Sequence, residues 1–102
     1  MATAIDIGTF IVQTPGTCGG RPRIAGTRIT VRNIVIWIEM EWTPEKIVSE
    51  YGHLSLAQVH AALAYYYANR EVLDAAFAQE EAEEDRLEQE YLASRAAAKS
   101  LA

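Results

Sequence analysis

Four arginines, Arg21, Arg23, Arg28 and Arg32, fall within twelve residues of a 102-residue chain whose formal net charge is −5. Guanidinium groups at this density suit the neutralisation of phosphates, because each offers a planar fork of donors that matches phosphate oxygens. Gly19, Gly20, Pro22 and Gly26 interrupt the same stretch, so its backbone can turn and present the side chains. If all four met phosphates, log affinity would fall against log salt with a slope of roughly −3.6 per protomer. Reading bases would need neutral hydrogen-bonding groups on a helix. Ser55, Gln58, Ala61 and Tyr65 stand at helical spacing for it, since Gln can pair with adenine in bidentate fashion and Ala can meet a thymine methyl. That helix carries no Arg or Lys, so positive charge has to come from the arginine arm.

Other chemistries find little support. His53 and His60 have no second histidine or carboxylate at metal-ligand spacing, so both are expected to be structural, with His60 on a packed face, and no metal is expected. Serines, histidines and acids form no local nucleophile signature, and the arm's glycines lack the Lys-Ser/Thr ending of a phosphate loop. Neither catalysis nor a cofactor is expected. The Tyr65-Tyr66-Tyr67 run lacks the interleaved cations of a base-stacking platform and reads as core and rim.

Charge divides along the chain. Residues 1–70 carry six Lys+Arg and five Asp+Glu, residues 71–90 carry nine acids and one base, and residues 91–102 add two bases. The acids Glu80, Glu81, Glu83, Glu84, Asp85, Glu88 and Glu90 can be a solvated face, yet like charges one turn apart weaken a helix by a few tenths of a kcal/mol per pair. A basic nucleic-acid-binding partner would relieve that repulsion.

The elements that must hold these residues follow from local signals. Residues 10–14 read as a short strand stopped by Pro15 and Gly16. Residues 23–25 and 28–30 read as a tight β-hairpin turning at Gly26. Thr30 caps a helix over about 31–41, in which Val31, Ile34, Val35 and Ile38 recur at helical spacing; Ile36 and Trp37 lie off that stripe and predict burial on a second side. Thr43, Pro44 and Glu45 open a second helix running to Tyr51, closed by Gly52 at the C′ position. Ser55 with Gln58 forms a capping box for a third helix over 56–68. On it Leu56, Val59, His60, Leu63, Tyr66 and Tyr67 are assigned to the packed face, and Gln58, Ala61 and Tyr65 to the outer one. From Glu71 onward no Gly or Pro appears, and a continuous helix is predicted, broken from the third near Asn69 or continuous with it.

A chain of this length holds one compact domain plus an appendage, divided as 1–70 and 71–102. The single cysteine, Cys18, cannot form an internal disulfide, and the opening residues lack an export signal, so a cytoplasmic, non-membrane protein is expected.

Taken as one string, Thr14-Pro15-Gly16, Cys18-Gly19-Gly20-Arg21-Pro22-Arg23-Ile24-Ala25-Gly26-Thr27-Arg28-Ile29, Pro44-Glu45, and Leu54-Ser55 followed by Ala57-Gln58-Val59, Ala61-Ala62-Leu63 and Tyr65-Tyr66 closely resemble the bacterial domain-of-unknown-function 433 family. The resemblance implies a mainly α fold: an N-terminal β-hairpin and a three-helix, homeodomain-like helix-turn-helix bundle, here with a long C-terminal helix. It implies further an antitoxin similar to the VapB type, paired with a PIN-like ribonuclease toxin and repressing its own operon. On that expectation Arg21, Arg23, Arg28, Arg32, Ser55, Gln58, Ala61 and Tyr65 face operator DNA in a homodimer. From charge and length, Glu80, Glu84, Leu87, Glu88, Tyr91, Leu92 and Arg95 face the toxin. Two other readings stay open: a stand-alone regulator whose tail only dimerises, and an interaction module that binds no nucleic acid and uses Ile36, Trp37 and Trp42 as an oligomer interface.

Overall fold

The structure is a computed structural model that describes residues 4–100. In chain order it has a 3-10 turn at Ile7–Thr9, strand β1 (Ile11–Val12), a second 3-10 turn at Cys18–Gly20 and strand β2 (Arg23–Ile24). Helices α1 (Val31–Glu39), α2 (Pro44–Glu50), α3 (Leu56–Ala68) and α4 (Arg70–Ser100) follow. The fold is mainly helical with one small antiparallel sheet.

Capping sets the helix starts. Thr30 Oγ1 accepts from Asn33 N at 3.1 Å while Asn33 Oδ1 accepts from Thr30 N at 2.9 Å, a capping box in which asparagine replaces the usual Glu or Gln. Thr43 Oγ1 accepts from Lys46 N at 3.1 Å and Pro44 fills the first helical position, where a missing N–H leaves nothing unpaired. Ser55 and Gln58 close the reciprocal box at 3.2 and 2.7 Å. The ends have separate causes. Helix α1 stops before Glu41, which takes the left-handed conformation at φ 67°. Tyr51 closes α2 at φ −120° and ψ 75°, outside the helical region, and Gly52 is not left-handed, so the expected glycine cap is absent there. Asn69, at φ −125°, ends α3 and donates from Nδ2 to Tyr65 O at 2.9 Å, so α3 and α4 are separate helices.

The sheet differs from the expected hairpin. Strand β2 pairs antiparallel with β1, in register Ile11 to Ile24 and Val12 to Arg23, while the 28–30 segment contributes only a single bridge between Arg23 and Thr30. Thr27 explains the difference. Its Oγ1 donates to Ile24 O at 2.9 Å and accepts from Ile29 N at 3.0 Å, so a local side-chain turn takes one of the two bonds this pair would exchange, while Ile24 N still donates to Ile29 O at 2.9 Å. Gly26, at φ 78°, still reverses the chain there.

The described chain divides into two compact units after Asn69. In the first, α3 packs against α1, α2 and both strands, and Ile24, Val31, Ile34, Ile47 and Val59 are fully buried. Each such side chain contributes about 1.5–3 kcal/mol of burial. Helix α1 is not buried on a second side as expected. Ile36 and Met40 are exposed, and half-buried Trp37 stacks on Trp42 and Tyr51, with centroids 5.9 and 4.7 Å apart. Lys46 Nζ sits 4.8 Å from the centre of the Trp42 ring, a cation–π contact that finishes this surface aromatic cluster. The second unit is α4, 31 residues and so about 46 Å long at roughly 1.5 Å per residue. No helix among the described residues is long and apolar enough to cross a membrane.

Candidate functional site

The arginine arm is built on a loop of unusual backbone. Gly16, Cys18, Gly19 and Gly20 all have positive φ, and Cys18 tolerates its 51° with its thiol directed to Arg28 O at 3.7 Å. Gln13 fastens this loop to α3: its Nε2 donates to Gly20 O at 3.5 Å and its Oε1 accepts from Tyr65 Oη at 3.4 Å. Arg23 fastens it to the next turn, donating from its two terminal nitrogens to Thr27 O at 3.0 Å and Thr14 Oγ1 at 3.1 Å. Its Nε is buried with no partner. Arg23, half-buried, therefore braces the arm from within through both terminal nitrogens. Arg21 and Arg28 are exposed and Arg32 is half-buried in the first turn of α1. The Arg21 guanidinium carbon lies 3.9 Å from where a Cβ on Gly19 would stand, so the glycine leaves the side chain room to fold over the loop.

The expected outer face of α3 is buried at its centre and half-exposed at either end. Ala61 is only 6% exposed, Gln58 is held in its capping box, and Tyr65 is half-buried against Gln13. Val59 and Tyr66 are buried as assigned, but Leu56, His60 and Tyr67 are exposed. The physical reason is that α3 is flanked twice: by α1 and α2, and by the N-terminal turn and strands. Ile7, Gly8 and Ile11 come up against Ala61, Ala64 and Tyr65 around a mostly apolar groove of about 210 Å³. What α3 shows to solvent is Leu56, Ala57, His60, Ala64, Tyr67 and Ala68, beside exposed Ser55. The sequence reading missed this face because apolar residues run all round the helix and periodicity could not choose a side. It missed Gln13 as well, for no local spacing rule links it to Tyr65.

On α4, Glu84, Leu87, Glu88, Tyr91, Leu92 and Arg95 are exposed, and Glu80 is half-buried. Glu80, Glu84, Leu87, Glu88, Tyr91 and Arg95 fall within an arc of about 100° on a helical projection, with Leu92 about 40° beyond it. On nearly the opposite side of the helix, Arg86 holds Glu83 and also Glu90, the latter at 2.6 Å. The Arg86 hydrogen bond, and then its charge, keep the Glu83 carboxyl below the usual carboxylate range, while Glu83 raises Arg86 in return. Arg70 and Asp74 form a further ion pair at 3.6 Å.

His53 is exposed like His60. Among the described residues no group of three or more His, Cys, Asp or Glu side chains could hold a metal ion.

No curated protein matches the chain. A crystal structure of a DUF433 member protein from Anabaena variabilis ATCC 29413 is similar to it, with 34% sequence identity and a TM-score of 0.64 over 69% of each chain. A family described as "Protein of unknown function (DUF433)" matches residues 11–66, which run from the start of β1 through Tyr66 and include Gln13, Arg23 and Tyr65. The braced arm and the three helices behind it are thus the shared portion, and the chain belongs to the DUF433 family.

Proposed function

We propose that this chain is the antitoxin of a toxin–antitoxin pair, without chemistry of its own. On this reading α4 occupies the basic, phosphate-binding cleft of a PIN-like ribonuclease, the toxin class implied by the resemblance to VapB-type proteins. The observation that carries it is the exposed arc of α4, where carboxylates alternate with Leu87, Tyr91 and Leu92. Carboxylates can take the positions of phosphates in such a cleft, and large apolar side chains add affinity that salt does not screen. The three-helix body sits on operator DNA in the manner of a homeodomain-like helix-turn-helix, with α2 and α3 as the motif. Exposed Arg28 then meets phosphate, with Arg21 and Arg32 near it in sequence, and the groove is read from Ser55, Ala57, His60 and Ala64.

Co-expression with the product of the adjoining reading frame tests the first half. A stable complex lacking ribonuclease activity is expected, and a chain truncated after Gln79 should leave the nuclease active. Equal inhibition by the truncated chain would refute the assignment of α4. Mobility-shift titration with the upstream DNA tests the second half, with Arg28→Ala expected to flatten its salt dependence by about one slope unit per contact.

A further inference from the structure

The last twenty residues of the described α4 are segregated in charge along its axis. Residues 80–90 hold seven acids and Arg86, whereas residues 91–99 hold Arg95 and Lys99 and no acid. Every side chain from residue 81 to 99 is exposed. Among the described residues, neither Arg95 nor Lys99 forms an ion pair.

Alternating steps of four and three from Glu80 trace one stripe: Glu80, Glu84, Leu87, Tyr91, Ser94 and Ala98. A second helix can follow a stripe with this spacing when both supercoil slightly. The stripe is also symmetric about residue 89. Against an antiparallel copy of itself Leu87 meets Tyr91, Glu84 meets Ser94 and Glu80 meets Ala98, each contact occurring twice. We propose that α4 pairs antiparallel with α4 of a second copy in this register, making an isologous two-helix interface.

Charge and size select the arrangement. A parallel pair would set Glu80 on Glu80 and Glu84 on Glu84 within one seam, whereas the antiparallel pair sets each carboxylate beside a small residue that leaves it a path to water. On one flank Arg95 reaches Glu81 of the second copy, and Lys99 extends toward the same acidic end. Glu88 faces its own counterpart at the centre, an unfavourable contact. Glu90 does so on the other flank, but Arg86 at 2.6 Å offsets its charge. Shifting the register by a heptad would put Leu87 and Tyr91 against Glu84 and Glu80, or against Ala98 and Ser94, so this alignment alone joins the two large apolar residues of the seam.

The pairing occupies the face assigned above to the ribonuclease, so the two associations compete. It concerns the chain alone, and stands or fails whether or not a nuclease partner exists. Sedimentation equilibrium of the full chain should show a monomer–dimer equilibrium that weakens as salt rises. Glu81→Arg and Arg95→Glu each place like charges opposite one another twice per dimer and should weaken dimerisation by about tenfold or more. Mixed in equal amounts, the two variants should form heterodimers of native strength, since both contacts between positions 81 and 95 then join opposite charges. Circular dichroism should show unchanged helicity in each. A native chain that stays monomeric, a dimer indifferent to both substitutions, or a mixture that fails to recover would each overturn the pairing.

Discussion

Replacing Arg23 by alanine separates its role as a brace from any role at a phosphate. Its guanidinium makes two hydrogen bonds, to Thr27 O at 3.0 Å and Thr14 Oγ1 at 3.1 Å, joining segments nine and four residues away. Hydrogen bonds from a charged donor contribute about 1.5–3 kcal/mol each, and the partial exposure of this pair places both at the lower end. The buried Nε has no partner, so deleting it returns about 1 kcal/mol of desolvation. The net loss is about 2 kcal/mol, which for a domain of this size lowers Tm by roughly 8–16 °C. Tryptophan fluorescence is the right assay, because Trp37 and Trp42 both lie in the first unit. Lysine cannot span both acceptors, so Arg23→Lys should recover less than half the loss. Arg28→Ala, at an exposed position, should stay within about 0.5 kcal/mol of native. Should Arg23→Ala melt within roughly 2 °C of the native protein while its affinity for DNA collapses, Arg23 is a phosphate ligand and its bracing role is refuted.

Thr30→Ala removes the α1 cap acceptor and should cost about 1–2 kcal/mol, read as a lower urea midpoint in tryptophan fluorescence, with Thr30→Ser restoring most of it. A native midpoint in the alanine variant would mean the capping box does not secure the helix start. Glu83 supplies a pH test. Arg86 lowers its folded-state pKa, so its contribution to α4 is present above the unfolded-state value and is lost as pH falls through the lowered one. The carboxyl carbon of Glu83, followed by NMR, should titrate at higher pH in Arg86→Gln than in the native chain; identical midpoints would remove the ion pair from the account.

Helix starts were legible in the sequence because each is a local event. Thr30, Thr43 with Pro44, and Ser55 with Gln58 act within three residues of themselves, and all cap the helices they announce. Strand pairing was not local. The run from Arg23 to Thr30 alternates like a hairpin and keeps a bond from Ile24 N to Ile29 O, but Ile24 O and Ile29 N turn to Thr27 Oγ1 and β2 pairs with β1, thirteen residues upstream at Ile11. The same holds for the candidate site. Four arginines look equivalent as letters, and only the positions of Thr14 and Thr27 show that Arg23 also ties the arm together. Ala61 was placed outside because nothing in residues 56–68 states that Ile7 and Ile11 will cover it.

Electrostatics within α4 neither makes nor breaks that helix. Glu80 with Glu84, Glu81 with Asp85, Glu84 with Glu88 and Arg95 with Lys99 set like charges four residues apart, and Glu71 with Asp74, Glu80 with Glu83, Glu81 with Glu84 and Asp85 with Glu88 set them three apart, at a few tenths of a kcal/mol each. Three favourable pairs of similar worth, Arg70 with Asp74 and Arg86 with Glu83 and Glu90, offset only part of this. What remains is intrinsic propensity: Ala, Glu, Leu, Gln and Arg over 31 residues without Gly or Pro. A helix sustained this way is ordered before it meets anything, so a partner does not bear the cost of folding it. Leu87, Tyr91 and Leu92, exposed by 51, 62 and 49%, then supply apolar area that is buried only on association. Carboxylates around them decide which surfaces qualify, because an acidic surface is repelled whereas a cationic one, or the basic end of a second copy, is not.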